Sequence, residues 1–154
     1  MKNKIAPYVL IVAIAAVSGS FIGEYFFALK PCILCLYQRY IWIIILAVSI
    51  EFLFYRPVWI AIVFLLLLNA GIAGYQVGVE QKIFALPSIC QSPPISANTL
   101  QQLSDQVMNT PPVRCDKVEW ELYGISMAGY NALLCILMSI FLLLGINGKN
   151  RHGR

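Results

Sequence analysis

Four long apolar runs, each almost free of charge, constrain this chain more than anything else in it. A helix needs about 20 mostly apolar residues to cross a bilayer. Tyr8–Leu29, Ile33–Tyr55, Val58–Val79 and Leu122–Ile146 each reach that length. Stop signals separate them: Lys30-Pro31, Arg56-Pro57, and Gly145-Ile146-Asn147-Gly148. Proline disfavours helix in the residue before it, so Lys30 and Arg56 are expected boundaries, and Arg56-Pro57 leaves room only for a tight hairpin. The expected fold is an all-α membrane protein, a single domain over 1–154 built as a four-transmembrane-helix bundle. Composition points the same way, with 60% hydrophobic and 12% charged residues and a mean hydropathy of +0.76. Soluble domains run at about 45–50% apolar and about 25% charged. A water-soluble enzyme, a disordered or fibrous chain and a nucleic-acid module are therefore all excluded. The net charge of +4 comes from eleven scattered Lys and Arg, a distribution that suits orientation in a bilayer better than a phosphate-binding face.

The one long connection is Glu80–Glu121, where Pro87, Pro93, Pro94, Pro111 and Pro112 argue against a fifth span. Within it, Leu100, Leu103 and Val107 fall at i, i+3 and i+7, and Thr99 with Gln102 matches a capping box. Thr99–Met108 is accordingly expected to form a short amphipathic helix on the membrane surface, with a solvated turn of helix as the alternative. Lys2, Lys4, Arg56, Lys149, Arg151 and Arg154 all flank one side of the predicted topology. By the positive-inside rule both termini are cytoplasmic and the long loop lies outside. A cleaved signal peptide is a competing reading of the N-terminus, but the apolar run continues unbroken through Phe21, Ile22 and Tyr25–Leu29. Small-residue spacing at Gly19 and Gly23, and at Ala70, Gly74 and Gly78, predicts close helix packing.

This topology sorts the five cysteines. Cys32 and Cys35 fall at the outer end of the second span, Cys90 and Cys115 in the outer loop, and Cys135 within the fourth span as a core or lipid-facing residue. Thiols outside a reducing cytosol are usually disulfides or redox centres. A C-x-x-C pair at a helix start has the spacing of redox dithiols, where the helix dipole favours the attacking thiolate. Two structural disulfides or a four-cysteine zinc site are the alternatives, the latter weakened because Cys90 and Cys115 stand 25 positions apart. Haem attachment is excluded, because Leu36 stands where C-x-x-C-H requires His.

Arg39 stands four residues after Cys35, on the same helix face and about 6 Å further into the membrane. An intramembrane Arg is costly and is a functional candidate by default; snorkelling to the interface is the alternative. Beside Cys35, a fixed cation would stabilise a thiolate and also the negative charge growing on an electron acceptor. At this depth the acceptor must be lipid-soluble, and a quinone is the obvious candidate.

The string Leu29-Lys30-Pro31-Cys32-Ile33-Leu34-Cys35-Leu36-Tyr37-Gln38-Arg39 resembles the DsbB family of bacterial inner-membrane, quinone-dependent thiol oxidases. Four spans, a second Cys pair in the long loop, and Trp120 through Met127 opening the fourth span agree in order. The resemblance implies that Cys90 is attacked by a reduced thioredoxin-fold partner of the DsbA type, and that Cys115 resolves the mixed disulfide. It implies exchange between Cys115 and Cys32, and delivery of electrons from Cys35 to ubiquinone or menaquinone, with Arg39 orienting the ring. Gln38 and Gln81 join the expected quinone-binding set, and no metal is expected. Many relatives carry a His just outside the third span, where this chain has Glu80-Gln81, and its one His is His152 in the tail. Gln81 can donate a hydrogen bond to a carbonyl but cannot be protonated at neutral pH. Two rivals remain: a vitamin K epoxide reductase type, whose loop cysteines precede its C-x-x-C, and a non-enzymatic scaffold stapled by two disulfides.

Overall fold

The computed structural model describes residues 5–87, 90, 114–118 and 120–151. Helix α1 spans Ala6–Phe26, α2 Ile33–Phe52, α3 Trp59–Glu80 and α4 Met127–Arg151. Each contains a stretch long and apolar enough to cross a membrane. The protein is thus a four-helix membrane bundle. A 3-10 turn, Arg56–Val58, joins α2 to α3 as the Arg56-Pro57 signal requires. The expected loop helix Thr99–Met108 lies outside the described residues.

Several boundaries differ from the apolar runs: α1 begins at Ala6, α2 stops at Phe52 rather than Tyr55, and α4 continues to Arg151 through the Gly145-Ile146-Asn147-Gly148 signal expected to end it, because two glycines weaken a helix without breaking its hydrogen bonds. Helix α1 stops at Phe26 although the apolar run continues to Leu29, because Ala28 turns into the left-handed region at φ 51° and lets Leu29 N–H donate to the Gly23 carbonyl. Helix α4 begins at Met127 because Glu121–Leu122 (β1) and Ile125–Ser126 (β2) pair as an antiparallel hairpin. Its turn places Tyr123 and Gly124 at positive φ, the mirror-image turn geometry that two-residue hairpins favour.

Helix α3 packs most extensively on α4, α1 on α2, and α2 on α3. The interior holds Val9 and Ala13 of α1, Ile41 and Ile45 of α2, Ile62 and Leu66 of α3, and Cys135 and Leu142 of α4. The outward faces are apolar too, among them Tyr8, Ile11, Ile60, Phe64, Leu68 and Ile140. That surface is stable only against lipid. Inside the bundle a polar group has no water to fall back on, so the buried Ser49 and Ser139 hydroxyls donate to the carbonyls of Ile45 and Cys135 one turn earlier on their own helices.

Small-residue packing does not follow the expected spacing. A Cβ placed on Gly19, Gly71 or Gly74 would meet nothing within 4 Å. Gly19 and Gly23 instead line a cavity, so on α1 the missing side chains make room for a ligand-sized space rather than for another helix.

Helix α3 ends in a closed cap. Lys82 adopts φ 61°, its N–H donates to the Val79 carbonyl, and Ile83 N–H donates to the Gly78 carbonyl at 2.8 Å. This Schellman pairing satisfies carbonyls the helix leaves open. It also folds Phe84 back to stack on Tyr75, with ring centroids 5.4 Å apart. A Cβ on Gly78 would collide with the Phe84 ring. Gly78→Ala should therefore displace Phe84 and destabilise the bundle by about 1–3 kcal/mol, the usual range for overpacking. Denaturant unfolding in detergent measures it, and an unshifted midpoint would show that Phe84 is not held there.

Candidate redox site and membrane cavity

Cys32 is the N-cap of α2. Its backbone is extended (φ −71°, ψ 169°), and its sulfur accepts the Cys35 N–H at 3.4 Å, one of the donors that every helix start leaves open. The 3.6-residue turn then brings the Cys35 sulfur to 2.9 Å from that of Cys32. Both are free thiols.

Cys90 and Cys115 form a disulfide across 25 residues. Paired this way, their sulfurs are not thiolates. Cys32, Leu34, Cys90 and Cys115 are buried in one cluster, against which Cys35, Ile33, Ile72 and Leu86 pack. The four cysteines expected to act together are brought together, with the loop disulfide capping the mouth of α2. Beside Cys115, Arg114 folds onto Asp116 through paired hydrogen bonds of 2.9 and 2.8 Å. Those bonds hold the Asp116 carboxyl below its ordinary range, so at neutral pH both groups stay charged and cancel beside the disulfide.

Next to this cluster a cavity of about 390 Å³ opens between α1, α2, α4 and the end of α3. Its walls are mainly apolar, and its polar contributors include Cys35, Gln38, Arg39, Glu24, Gln76 and Glu80. A mostly apolar cavity with a few convergent polar groups is the usual form of a small-molecule site.

Arg39 does line this cavity, but it is not a bare cation. Its Nη1 donates to Glu24 Oε2, its Nη2 to the Ser20 carbonyl at 3.3 Å, and its guanidinium lies 4.7 Å from the Phe21 ring centroid. The Arg39 side chain is 12% exposed and that of Glu24 32%. Arg39 Nε is buried and has no hydrogen-bond partner among the described residues. A guanidinium has five N–H donors and no acceptor, so this buried Nε–H is left over without a partner among those residues.

Gln38 is buried, and its Nε2 donates to Gln76 Oε1 at 2.8 Å. Gln76 in turn donates from Nε2 to the Cys35 sulfur at 3.3 Å and to Glu80 Oε1 at 3.0 Å. Gln81 is placed differently: it is the exposed C-cap residue of α3 and is not among the residues lining the cavity. A helix turns 100° per residue, so Gln81 and Glu80 point apart, and the α3 side chains on the Cys35 face are Gln76 and Glu80. Cys135 is buried in the bundle core, as its apolar setting predicts.

Sequence reading missed Glu24, Gln76 and Asn131. Their signal was nonetheless present, since each is a polar side chain in an otherwise apolar span, and such residues turn inward and find partners.

The chain matches the family model described as disulfide bond formation protein DsbB over residues 2–145. It belongs to the DsbB family. A protein of Rickettsia prowazekii (strain Madrid E), named "Uncharacterized protein RP370", is 32% identical over 150 residues, covering 92% of this chain and 86% of that protein. As a DsbB family member this multi-pass protein carries the chemistry of membrane disulfide bond formation, an oxidoreductase activity.

The Glu24–Arg39 pair has a measurable consequence. Glu24→Leu would leave a buried guanidinium without its carboxylate, a loss of about 1–2 kcal/mol once the partial exposure of Glu24 is allowed for. Unfolding in detergent should show it, and an unchanged midpoint would mean that Arg39 reaches solvent unaided.

Proposed function

We propose that this DsbB family protein is a thiol:quinone oxidoreductase that reoxidises a DsbA-type dithiol partner and passes the electrons to a membrane quinone. One observation carries the reading: the cluster that buries Cys32, Cys90 and Cys115 adjoins an apolar cavity lined by Cys35 and Arg39. The family's use of quinones and of DsbA-like partners supports it.

In the first step a thiolate of the reduced partner attacks Cys90. This breaks the Cys90–Cys115 disulfide; attack of Cys115 on the mixed disulfide would only reverse the step, so the partner's second thiol, rather than Cys115 as the resemblance implied, resolves it as Cys90 leaves. Cys115, now a thiolate, exchanges with the Cys32–Cys35 disulfide at Cys32; Cys90 resolves that link and regenerates the loop disulfide. Cys32 and Cys35 are then the free pair, the arrangement in which they stand here. Shared burial turns each exchange into an intramolecular reaction, and such proximity is worth a large effective concentration. Two electrons and two protons then leave the pair as its disulfide re-forms.

A bound ubiquinone or menaquinone supplies a two-electron sink. The Arg39 guanidinium on the cavity lining and the apolar walls fit a flat, lipid-soluble acceptor with carbonyl oxygens. Arg39 would hold a carbonyl oxygen of such an acceptor and favour negative charge on it, Gln38 holds the Gln76 amide, and Cys35 on the cavity lining would be the thiol that gives up its electrons. Gln81, exposed at the end of α3 and off the cavity lining, has no part in this reading. Lys2, Lys4, Arg56, Lys149, Arg151 and Arg154 place both termini in the cytoplasm of a bacterial cell and the loop in the periplasm, with the chain in the inner membrane as one domain.

Purified protein given a reduced DsbA-type partner and quinone tests the relay. Cys35→Ser should reduce quinone-dependent thiol oxidation to background; undiminished oxidation would favour a scaffold stapled by disulfides. Arg39→Met should raise the KM for quinone about tenfold, equivalent to ~1.4 kcal/mol, while unchanged quinone kinetics would make Arg39 an interfacial anchor. A Cys introduced into the C-terminal tail should resist membrane-impermeant label added from outside, and ready labelling would invert the topology.

A further inference from the structure

A chain of four hydrogen bonds links Trp42 to Cys35 through the bundle interior. The indole Nε1 of Trp42 donates to Asn131 Oδ1 at 2.7 Å. Asn131 Nδ2 donates to Gln38 Oε1 at 2.7 Å, Gln38 Nε2 to Gln76 Oε1 at 2.8 Å, and Gln76 Nε2 to the Cys35 sulfur at 3.3 Å. The links alternate between α2, α4 and α3. Trp42, Gln38 and Gln76 are all buried.

The direction of this chain is determined at its ends. Each amide has one acceptor end and one donor end and could be inserted either way round, but an indole N–H can only donate. Trp42 therefore requires the oxygen of Asn131 to face it, which turns the Asn131 NH2 toward Gln38. The same alternation turns the Gln38 NH2 toward Gln76 and the Gln76 NH2 toward Cys35. At the far end Glu80, an acceptor when ionised, takes the second Gln76 N–H at 3.0 Å, in agreement with that direction. Gln76 Oε1 lies farther from the sulfur, at 3.7 Å, and already accepts from Gln38.

We infer that Trp42 is a positioning residue, which sets the donor direction of the Asn131–Gln38–Gln76 amide chain so that Cys35 is always offered an N–H. A thiolate accepts that N–H strongly and a thiol only weakly; a thiol's own donor contacts are the Cys32 sulfur at 2.9 Å and the longer one to Gln76 Oε1 at 3.7 Å, an oxygen that also accepts from Gln38. Trp42 thus favours the nucleophilic form of Cys35 through three intervening side chains. This rests on the reading that Cys35 is the electron-delivering thiol, but its test needs neither quinone nor partner. In water such a chain would be open to exchange at every link; here Gln38 and Gln76 are buried and Asn131 half-buried, with few competing partners.

The test replaces Trp42 in the full-length protein with benzothienylalanine, which keeps the shape of the ring system and deletes only the N–H. Alkylation of Cys35 at neutral pH, followed by peptide mass analysis of the reduced protein in detergent, should slow several-fold. Trp42→Phe should slow it similarly, while Trp59→Phe, a partly buried tryptophan outside the chain, should not. In the oxidation assay the benzothienyl variant should lower kcat for quinone reduction, and the pH profile of its Cys35 alkylation should move to higher pH, which a merely structural change at the cavity wall would not produce. Wild-type alkylation rates in the benzothienyl variant would overturn the inference. Slowed alkylation in a protein that does not oxidise partner with quinone would instead sink the relay and leave the role of Trp42 intact.

Discussion

Inside a bilayer, a polar group that leaves its partner gains no water in return. Every other feature of the protein follows from that asymmetry. The backbone must be helical wherever it crosses lipid, serine hydroxyls return to their own helices, and Gln38, Gln76, Asn131 and Trp42 can be buried only because they satisfy one another. The same condition lets Arg39 stay at depth. Glu24, the Ser20 carbonyl and the Phe21 ring hold its charge where bulk solvent is out of reach.

The thiol site is built on the same economy of partners. A helix start leaves N–H groups open, and Cys32 occupies that position with its sulfur accepting the Cys35 N–H. Gln76 supplies a second donor to Cys35 from the neighbouring helix. Sulfur is a weak acceptor as a thiol and a strong one as a thiolate, so a pocket rich in donors selects the reactive form. The loop disulfide packs over the pair, and buries both in surroundings where exchange partners meet at high effective concentration.

The cavity beside the site exists because side chains are missing there. Ala15, Ala16, Gly19 and Gly23 line the α1 wall, and a space remains where larger residues would have let helices close. The small-residue spacing was legible, but its meaning was not, since the same pattern serves a tight helix crossing and an open pocket. Which of the two forms depends on what faces it, and on α1 the facing groups are Arg39 and the α4 residues around Asn131.

Sequence by itself determined the four spans, the hairpin at Arg56-Pro57, the gathering of four cysteines at one end of the bundle and the presence of an isolated charge, Arg39, within a span. Each is a local matter of apolar length, proline stereochemistry or an isolated charge in an apolar run, and none requires knowing a neighbour. Only the tertiary structure decided that Arg39 is paired with Glu24, that Gln76 rather than Gln81 lies against Cys35, and that Asn131 and Trp42 join the site's hydrogen bonds. Those assignments depend on the rotation of each helix about its axis. Nearly uniform apolar spans leave that rotation undetermined in sequence, and packing fixes it when the few polar side chains find one another.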